Sequence, residues 1–298
     1  DHFDPEGAIE LLALLKDKFP QNAQLLEYDF KANYAIERFE EAAAALEQLE
    51  QITQADLTSY KERFATTMDK YQQELMIRRQ EAETNDLPRV RLMTTEGNIV
   101  IELFENHAPN TVANFIHLVR DQKFYDGKLF HLVKPGEYAM TGSPTGDGMG
   151  DAGYRIKCEC YQEKIRSHFR GTLSMMAPNK DQGGSQFFIT QQPNPHTYDG
   201  KYTAFGRVVE GMDVVLKLQS IDLSGRLASV DNVSKIMKAE VLRARSHPYM
   251  PEKIANNSFL PGNTSGLGGN NAATQGTDSD VDAAGSFDLL LQGGDGGK

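Results

Sequence analysis

The chain has 298 residues, 39% of them hydrophobic and 24% charged, enough for about two domains and a sizeable core. No apolar run approaches the ~18 residues of a membrane-crossing helix, and two cysteines cannot frame a disulfide-built scaffold. A net charge of −11 argues against a general binder of nucleic acid or anionic membrane. The charge is uneven: residues 1–88 carry 9 Lys/Arg against 19 Asp/Glu, residues 89–245 carry 20 against 17, and residues 246–298 carry 2 against 6. That pattern divides the chain into a helical part at 1–85, a second domain at 86–247 and a Gly/Asn/Asp-rich disordered tail at 248–298. Asp1 stands where a start Met would, with no leader signature, so the reading treats the start as removed or the chain as a fragment, its address unknown.

Residues 1–83 read as helical. Apolar residues recur at helical spacing from Ile9 to Leu15, from Leu25 to Phe30 and from Phe39 to Leu49. Phe19-Pro20-Gln21-Asn22 separates the first two helices, because Pro lacks the N–H donor and restricts the residue before it. A third helix is expected from Leu57 to about Arg79, with Phe64, Met68, Tyr71 and Leu75 on one face. This part resembles tetratricopeptide repeats: Ala8 stands twelve residues before Pro20, Arg38-Phe39-Glu40-Glu41-Ala42 is similar to the start of a repeat's second helix, and Ala8 to Ala42 is 34 residues. An ordinary amphipathic hairpin is the other reading. Residues 1–85 are the candidate segment for a protein partner, but a single partial repeat stacks poorly, so a repeat-type groove is expected to need chain before Asp1.

Glu83-Thr84-Asn85-Asp86-Leu87-Pro88 is a polar break. After it the period changes to two. Arg89–Thr95 and Ile99–Phe104 flank the turn Glu96-Gly97-Asn98 and predict a hairpin. Pro109–Asp121 is predicted helical, with Thr111, Val112, Phe115, Leu118 and Val119 as its apolar stripe and Asn110 as N-cap. Strands are predicted at Leu129–Val133, Tyr138–Thr141, Thr172–Met175, Gln186–Thr190, Thr203–Val209 and Lys235–Leu242, and a second helix at Glu210–Leu218. About eight short strands and two helices make a mainly β fold with α, a barrel capped by helices. Residues 262–298 are too poor in apolar residues to offset their ordering entropy, apart from Phe287-Asp288-Leu289-Leu290-Leu291, a docking motif or a chance cluster.

Four stretches of this region resemble the cyclophilin family of peptidyl-prolyl isomerases. They are Thr95–Leu103 with Ala108–Phe115; Phe124–His131; Gly171–Met176 with Gly184-Ser185-Gln186-Phe187-Phe188-Ile189-Thr190; and Tyr198-Asp199-Gly200-Lys201-Tyr202 through Val208. Together they cover about residues 89–243 in the family's order. The resemblance implies an eight-stranded antiparallel β-barrel capped by two helices, preceded here by an α-helical segment. It implies isomerisation of Xaa-Pro bonds in folding proteins, no cofactor, and proline-containing peptides or unfolded proteins as partners. It also implies a groove contacted by Phe130, His131, Tyr138, Met140, Met176, Gln186, Phe188, Tyr198 and Tyr202.

Two departures stand inside that groove. The family donor is an Arg directly after Phe-His; here Leu132 follows Phe130-His131 and has no polar hydrogen to give. In Pro135-Gly136-Glu137-Tyr138-Ala139-Met140-Thr141, aligned without a gap, Met140 replaces the Gln that orients the Arg and Glu137 replaces a pocket Phe. Activity is therefore expected to be reduced, with no residue named catalytic; a noncatalytic proline-peptide-binding or scaffold module is the alternative. Arg155, Arg170 and Lys180 are the candidates for a substitute cation, and His196 for an aromatic wall that Thr197 lacks. Cys158-Glu159-Cys160 has no second pair to complete a metal site, and a bridge across one residue departs from relaxed disulfide geometry. Gly146-x-Gly148-x-Gly150 lacks the strand-to-helix context of a phosphate loop and reads as a surface loop.

Overall fold

The computed structural model describes residues 3–219, 221–223 and 233–254; the tail expectations, including Phe287–Leu291, lie outside them. The helical segment has four helices: α1 (Pro5–Lys18), α2 (Ala23–Ala35), α3 (Phe39–Thr53) and α4 (Thr58–Thr84). Asp4 caps α1 and Asn22 caps α2 through side-chain acceptors. The stretch read as two helices before Leu57 is three. The break at Ile36-Glu37-Arg38 places Glu37 at φ 67, without the Gly or Pro that would announce it. Leu26, Phe30, Tyr34, Phe39, Leu46 and Leu49 form the core of this segment.

Asn85 ends α4 in a left-handed conformation, and Arg243 holds it through its carbonyl and side-chain oxygens. The sheet follows: β1 (Arg89–Thr94), β2 (Gly97–Leu103), β3 (Phe130–Lys134), β4 (Tyr138–Thr141), β5 (Thr172–Met175), β6 (Phe187–Thr190), β7 (Thr203–Glu210), β8 (Ile221–Asp222) and β9 (Ile236–Arg243). Its order is β8-β3-β4-β6-β5-β7-β2-β1-β9, and the strand pairs are antiparallel. A bridge from Leu129 to Lys235 brings β3 back to β9, so the curled sheet meets itself. Two-residue β8 is the strand that sequence periodicity did not reveal. The helices α5 (Pro109–Arg120) and α7 (Met212–Lys217) pack on this sheet, and α6 (Pro195–Tyr198) is a single turn.

Phe115 of α5 meets Tyr125, Phe187 and Phe205 at ring separations of 5.1–5.3 Å in the main core. Asn110 is not the cap of α5: the first turn is capped by Glu159, whose carboxylate accepts from Asn110 N, Thr111 N and Thr111 Oγ1 at 3.0, 2.8 and 2.6 Å. Glu159 lies between Cys158 and Cys160, which are joined by a disulfide.

Residues 166–170 join the helical segment to the sheet. Arg166 is 2% exposed; its guanidinium reaches Glu74 at 2.5 and 2.8 Å and Glu81 at 2.5 Å, and lies 3.6 Å from the centre of the Phe104 ring. Phe169 is buried in the helical core against Tyr71, ring centres 5.1 Å apart. Arg170 N donates to Glu37.

Candidate functional site

Strand pairing puts the site residues in one row. Leu132 of β3 is paired with Met140 of β4, Met140 with Phe188 of β6, and Phe188 with Ser174 of β5. Directly opposed residues of adjacent strands share a face, so Leu132 and Met140 are immediate neighbours. The register shifts between Phe130 and Leu132, making His131 the extra residue of a bulge. The bulge sends Phe130 into the main core, fully buried with Phe115, and leaves His131 and Leu132 on the groove. Phe130 is thus a core residue and not a groove wall.

The groove is a cavity of about 480 Å³. His131, Leu132, Tyr138, Met140, Met176 and Gln186 line it from the sheet. Asp147 to Asp151, Arg155, Pro178 and Gln182 complete its rim. The Gly146–Gly150 loop is therefore a wall of the groove, which the sequence reading missed. Gly148, at φ 80, brings its backbone against His131: a Cβ there would stand 3.3 Å from His131 Cδ2. Gln186 Nε2 donates to Gly148 O at 2.9 Å and Gly150 O at 2.8 Å, which uses both amide hydrogens and leaves Oε1 as an acceptor.

Phe188, Tyr198 and Tyr202 form an adjoining aromatic cluster. Phe188 is 2% exposed and sits 5.6 Å from Tyr138 and 5.3 Å from both Tyr198 and Tyr202, ring centre to ring centre. Such tilted and edge-to-face pairs stabilise by about 0.5–1.5 kcal/mol each beyond their burial. Beneath Phe188 lies His168, whose ring is stacked on it at 6.4 Å. Its Nδ1 meets Asp199 Oδ1 at 2.8 Å and its Nε2 meets Ser174 Oγ at 2.8 Å. A carboxylate can only accept, so Nδ1 carries a proton and donates to Asp199. Ser, His and Asp in this order resemble a nucleophilic relay, but Ser174 and His168 are fully buried and no substrate reaches them.

Electrostatics leave the groove with little proton chemistry. Burial pushes the His131 imidazole below its ordinary value, against the pull of Asp147 and Asp222, and Nδ1 has no hydrogen-bond partner among the described residues. Burial raises the Tyr138 and Tyr202 hydroxyls, keeping both neutral. Of the three candidate cations, Arg155 lines the groove. Arg170 pairs with Glu6, and Lys180 lies over the Tyr161 ring. His196 turns to the helices, with Nε2 at 3.0 Å from both Thr67 Oγ1 and Arg63 O, and does not stand in for the missing aromatic.

Residues 89–241 match the family model described as cyclophilin type peptidyl-prolyl cis-trans isomerase/CLD. The chain is 45% identical over 145 residues to a peptidyl-prolyl cis-trans isomerase of Synechococcus elongatus, covering 48% of this chain and 94% of that protein. It is 44% identical over 129 residues to peptidyl-prolyl cis-trans isomerase B of Bacillus subtilis, covering 43% and 88%. A solved cyclophilin type peptidyl-prolyl cis-trans isomerase of Cryptosporidium parvum is 28% identical, covers 53% of this chain and 99% of that one, and superposes with a TM-score of 0.46.

Proposed function

The chain belongs to the cyclophilin-type peptidyl-prolyl cis-trans isomerase family, and we propose that its groove binds Xaa-Pro segments of flexible or unfolded proteins and isomerises them slowly. Rotation about the Xaa-Pro amide breaks C–N resonance against a barrier of about 18–20 kcal/mol, while the two isomers differ by only about 0.5–1 kcal/mol. No nucleophile or metal is required. The protein must hold the ring, anchor the flanking backbone and favour the twisted nitrogen over the planar amide.

The apolar side chains Leu132, Met140 and Met176 offer a surface for the ring, and Gln186 Oε1 an acceptor for a substrate N–H. The observation that carries the reduced rate is the direct pairing of Leu132 with Met140. Neither side chain can donate to a developing lone pair. What acceleration remains comes from desolvating the amide in an apolar groove, with Arg155 as a cation at its rim.

A noncatalytic binding module is the second reading. It draws support from Gln186, whose donors are already taken by the loop, and from Phe188, covered by three tyrosines. In it the segment 1–85 carries a protein partner, and the exposed Leu11, Leu14, Phe19 and Tyr28 on and beside α1 and α2 fit such a surface. The boundaries at 85 and 247 belong to the same proposal.

Magnetisation-exchange NMR on a proline peptide with the full chain separates the readings. Exchange that rises in proportion to protein concentration supports the isomerase. Shifted peptide signals without faster exchange support the binder. A peptide unaffected in both respects refutes the groove as a proline site.

A further inference from the structure

We infer that Lys70 of α4 is a positioning residue for the groove, holding the aromatic cluster in shape through Asp199 and His168. This rests on the groove being the proline site.

The connection is continuous. Lys70 Nζ donates to Asp199 Oδ2 at 2.8 Å. Asp199 Oδ1 accepts from His168 N at 2.9 Å and from His168 Nδ1 at 2.8 Å. The His168 ring supports Phe188, and Tyr198, next to Asp199 in sequence, packs edge-on against both rings at 5.6 and 5.3 Å. One turn of α4 earlier, Thr67 meets His196, two residues before Tyr198. The helix thus grips the Pro195–Asp199 turn at two points, one on each side of the tyrosine that covers Phe188.

The charge arrangement explains why Lys70 matters more than an ordinary surface lysine. The Asp199 side chain is 8% exposed. A carboxylate so enclosed needs both oxygens satisfied. One is committed to His168, and Lys70 serves the other. Burial would raise the Asp199 carboxyl, but His168 and Lys70 outweigh it and hold it below its ordinary value. Without the ammonium, Oδ2 is left enclosed and loses its bond to Lys70. The carboxylate then relaxes toward water, taking the His168 ring with it. The groove and the helical segment are in this way linked by side chains that lie outside the groove itself.

The test uses the full chain with Lys70→Met, Lys70→Arg and, as control, Lys61→Met, since Lys61 pairs with Glu50 inside the helical segment. The first readout is the aromatic NMR spectrum of Phe188 and Tyr198 with the ¹⁵N shifts of His168, which needs no ligand. The second is the dissociation constant of an Ala-Pro-containing peptide. Lys70→Met is expected to shift the Phe188, Tyr198 and His168 signals, leave Phe115 and Phe187 unmoved, and weaken the peptide about five- to tenfold, about the loss of one ordinary hydrogen bond, because Lys70 acts on the groove only through Asp199 and His168. Lys70→Arg restores the signals and the affinity, and Lys61→Met changes neither. The inference is overturned if Lys70→Met leaves the three signals in place, or if Lys61→Met moves them equally. If the signals move as expected but the unsubstituted protein binds no peptide, the positioning of the cluster by Lys70 stands and the proline-site reading fails.

Discussion

Leu132→Arg combined with Met140→Gln tests whether the groove has lost a donor or has been reshaped. The two positions are direct cross-strand partners, so a guanidinium and the amide that orients it would stand side by side. Leu132 lies at the edge of the cavity, where a charged head keeps contact with water; Met140 is 7% exposed, and an amide there needs a partner. A charge-assisted hydrogen bond realised in the twisted state contributes about 1.5–3 kcal/mol. At about 1.4 kcal/mol per decade this is roughly tenfold to a hundredfold in rate. Leu132→Arg alone should give less, because nothing at Met140 holds the guanidinium, and the two effects should be non-additive. The assay is magnetisation exchange at fixed peptide and protein concentration, with thermal unfolding run in parallel. A folded double variant that binds peptide as before and shows no gain in rate would refute the missing-donor argument and place the limit in Tyr138, Met176 and the Gly146–Gly150 wall.

Other outcomes follow from the same geometry. Arg166→Met leaves Glu81 enclosed without its Arg166 partner and Glu74 with Arg78 alone, and chemical denaturation should show a loss of about 3–5 kcal/mol; a loss under 1 kcal/mol would show that the acids rearrange freely. Asp199 has a folded pKa below its ordinary 3.8, so the stability it contributes is present above about pH 4 and is lost as pH falls toward the folded value; Asp199→Asn should be less stable at pH 7 and should flatten the stability profile between about pH 5 and 3. An unchanged slope there would assign the acid sensitivity to other carboxylates. Arg155→Ala should lower any residual exchange rate only a few-fold, as befits a partly exposed charge worth about 1 kcal/mol or less, and a larger fall would make Arg155 the substitute donor.

The sheet was legible because period-two patterning, the Glu96-Gly97-Asn98 turn and the stripe of α5 act locally. The grouping of Leu132, Met140 and Phe188 in one groove came from the family resemblance, and their direct pairing from the strand register. What escaped depends on partners distant in sequence. Glu37 breaks the helix between Ala35 and Phe39 while half-buried against Arg78 and Arg170, where desolvation raises its carboxyl; neither arginine is near in sequence. Glu159 caps α5 from some fifty residues on, so the local sequence pointed to Asn110 instead. The β-bulge at His131 reverses the facing of Phe130, which no alternation rule indicates. The glycine loop became a groove wall through Gln186 and His131, not through its own sequence.

The five residues 166–170 also govern how the molecule comes apart. Phe169 belongs in chain order to the β-sheet region but is interleaved with rings from α2, α3 and α4. Opening either part therefore strips the other of a buried aromatic and a buried guanidinium together. Hydrogen-exchange protection in α3, α4 and β5 should then collapse at the same denaturant concentration, as a single foldon that crosses the boundary drawn by composition. A tryptic cut after Arg79 would release no independently stable sheet fragment.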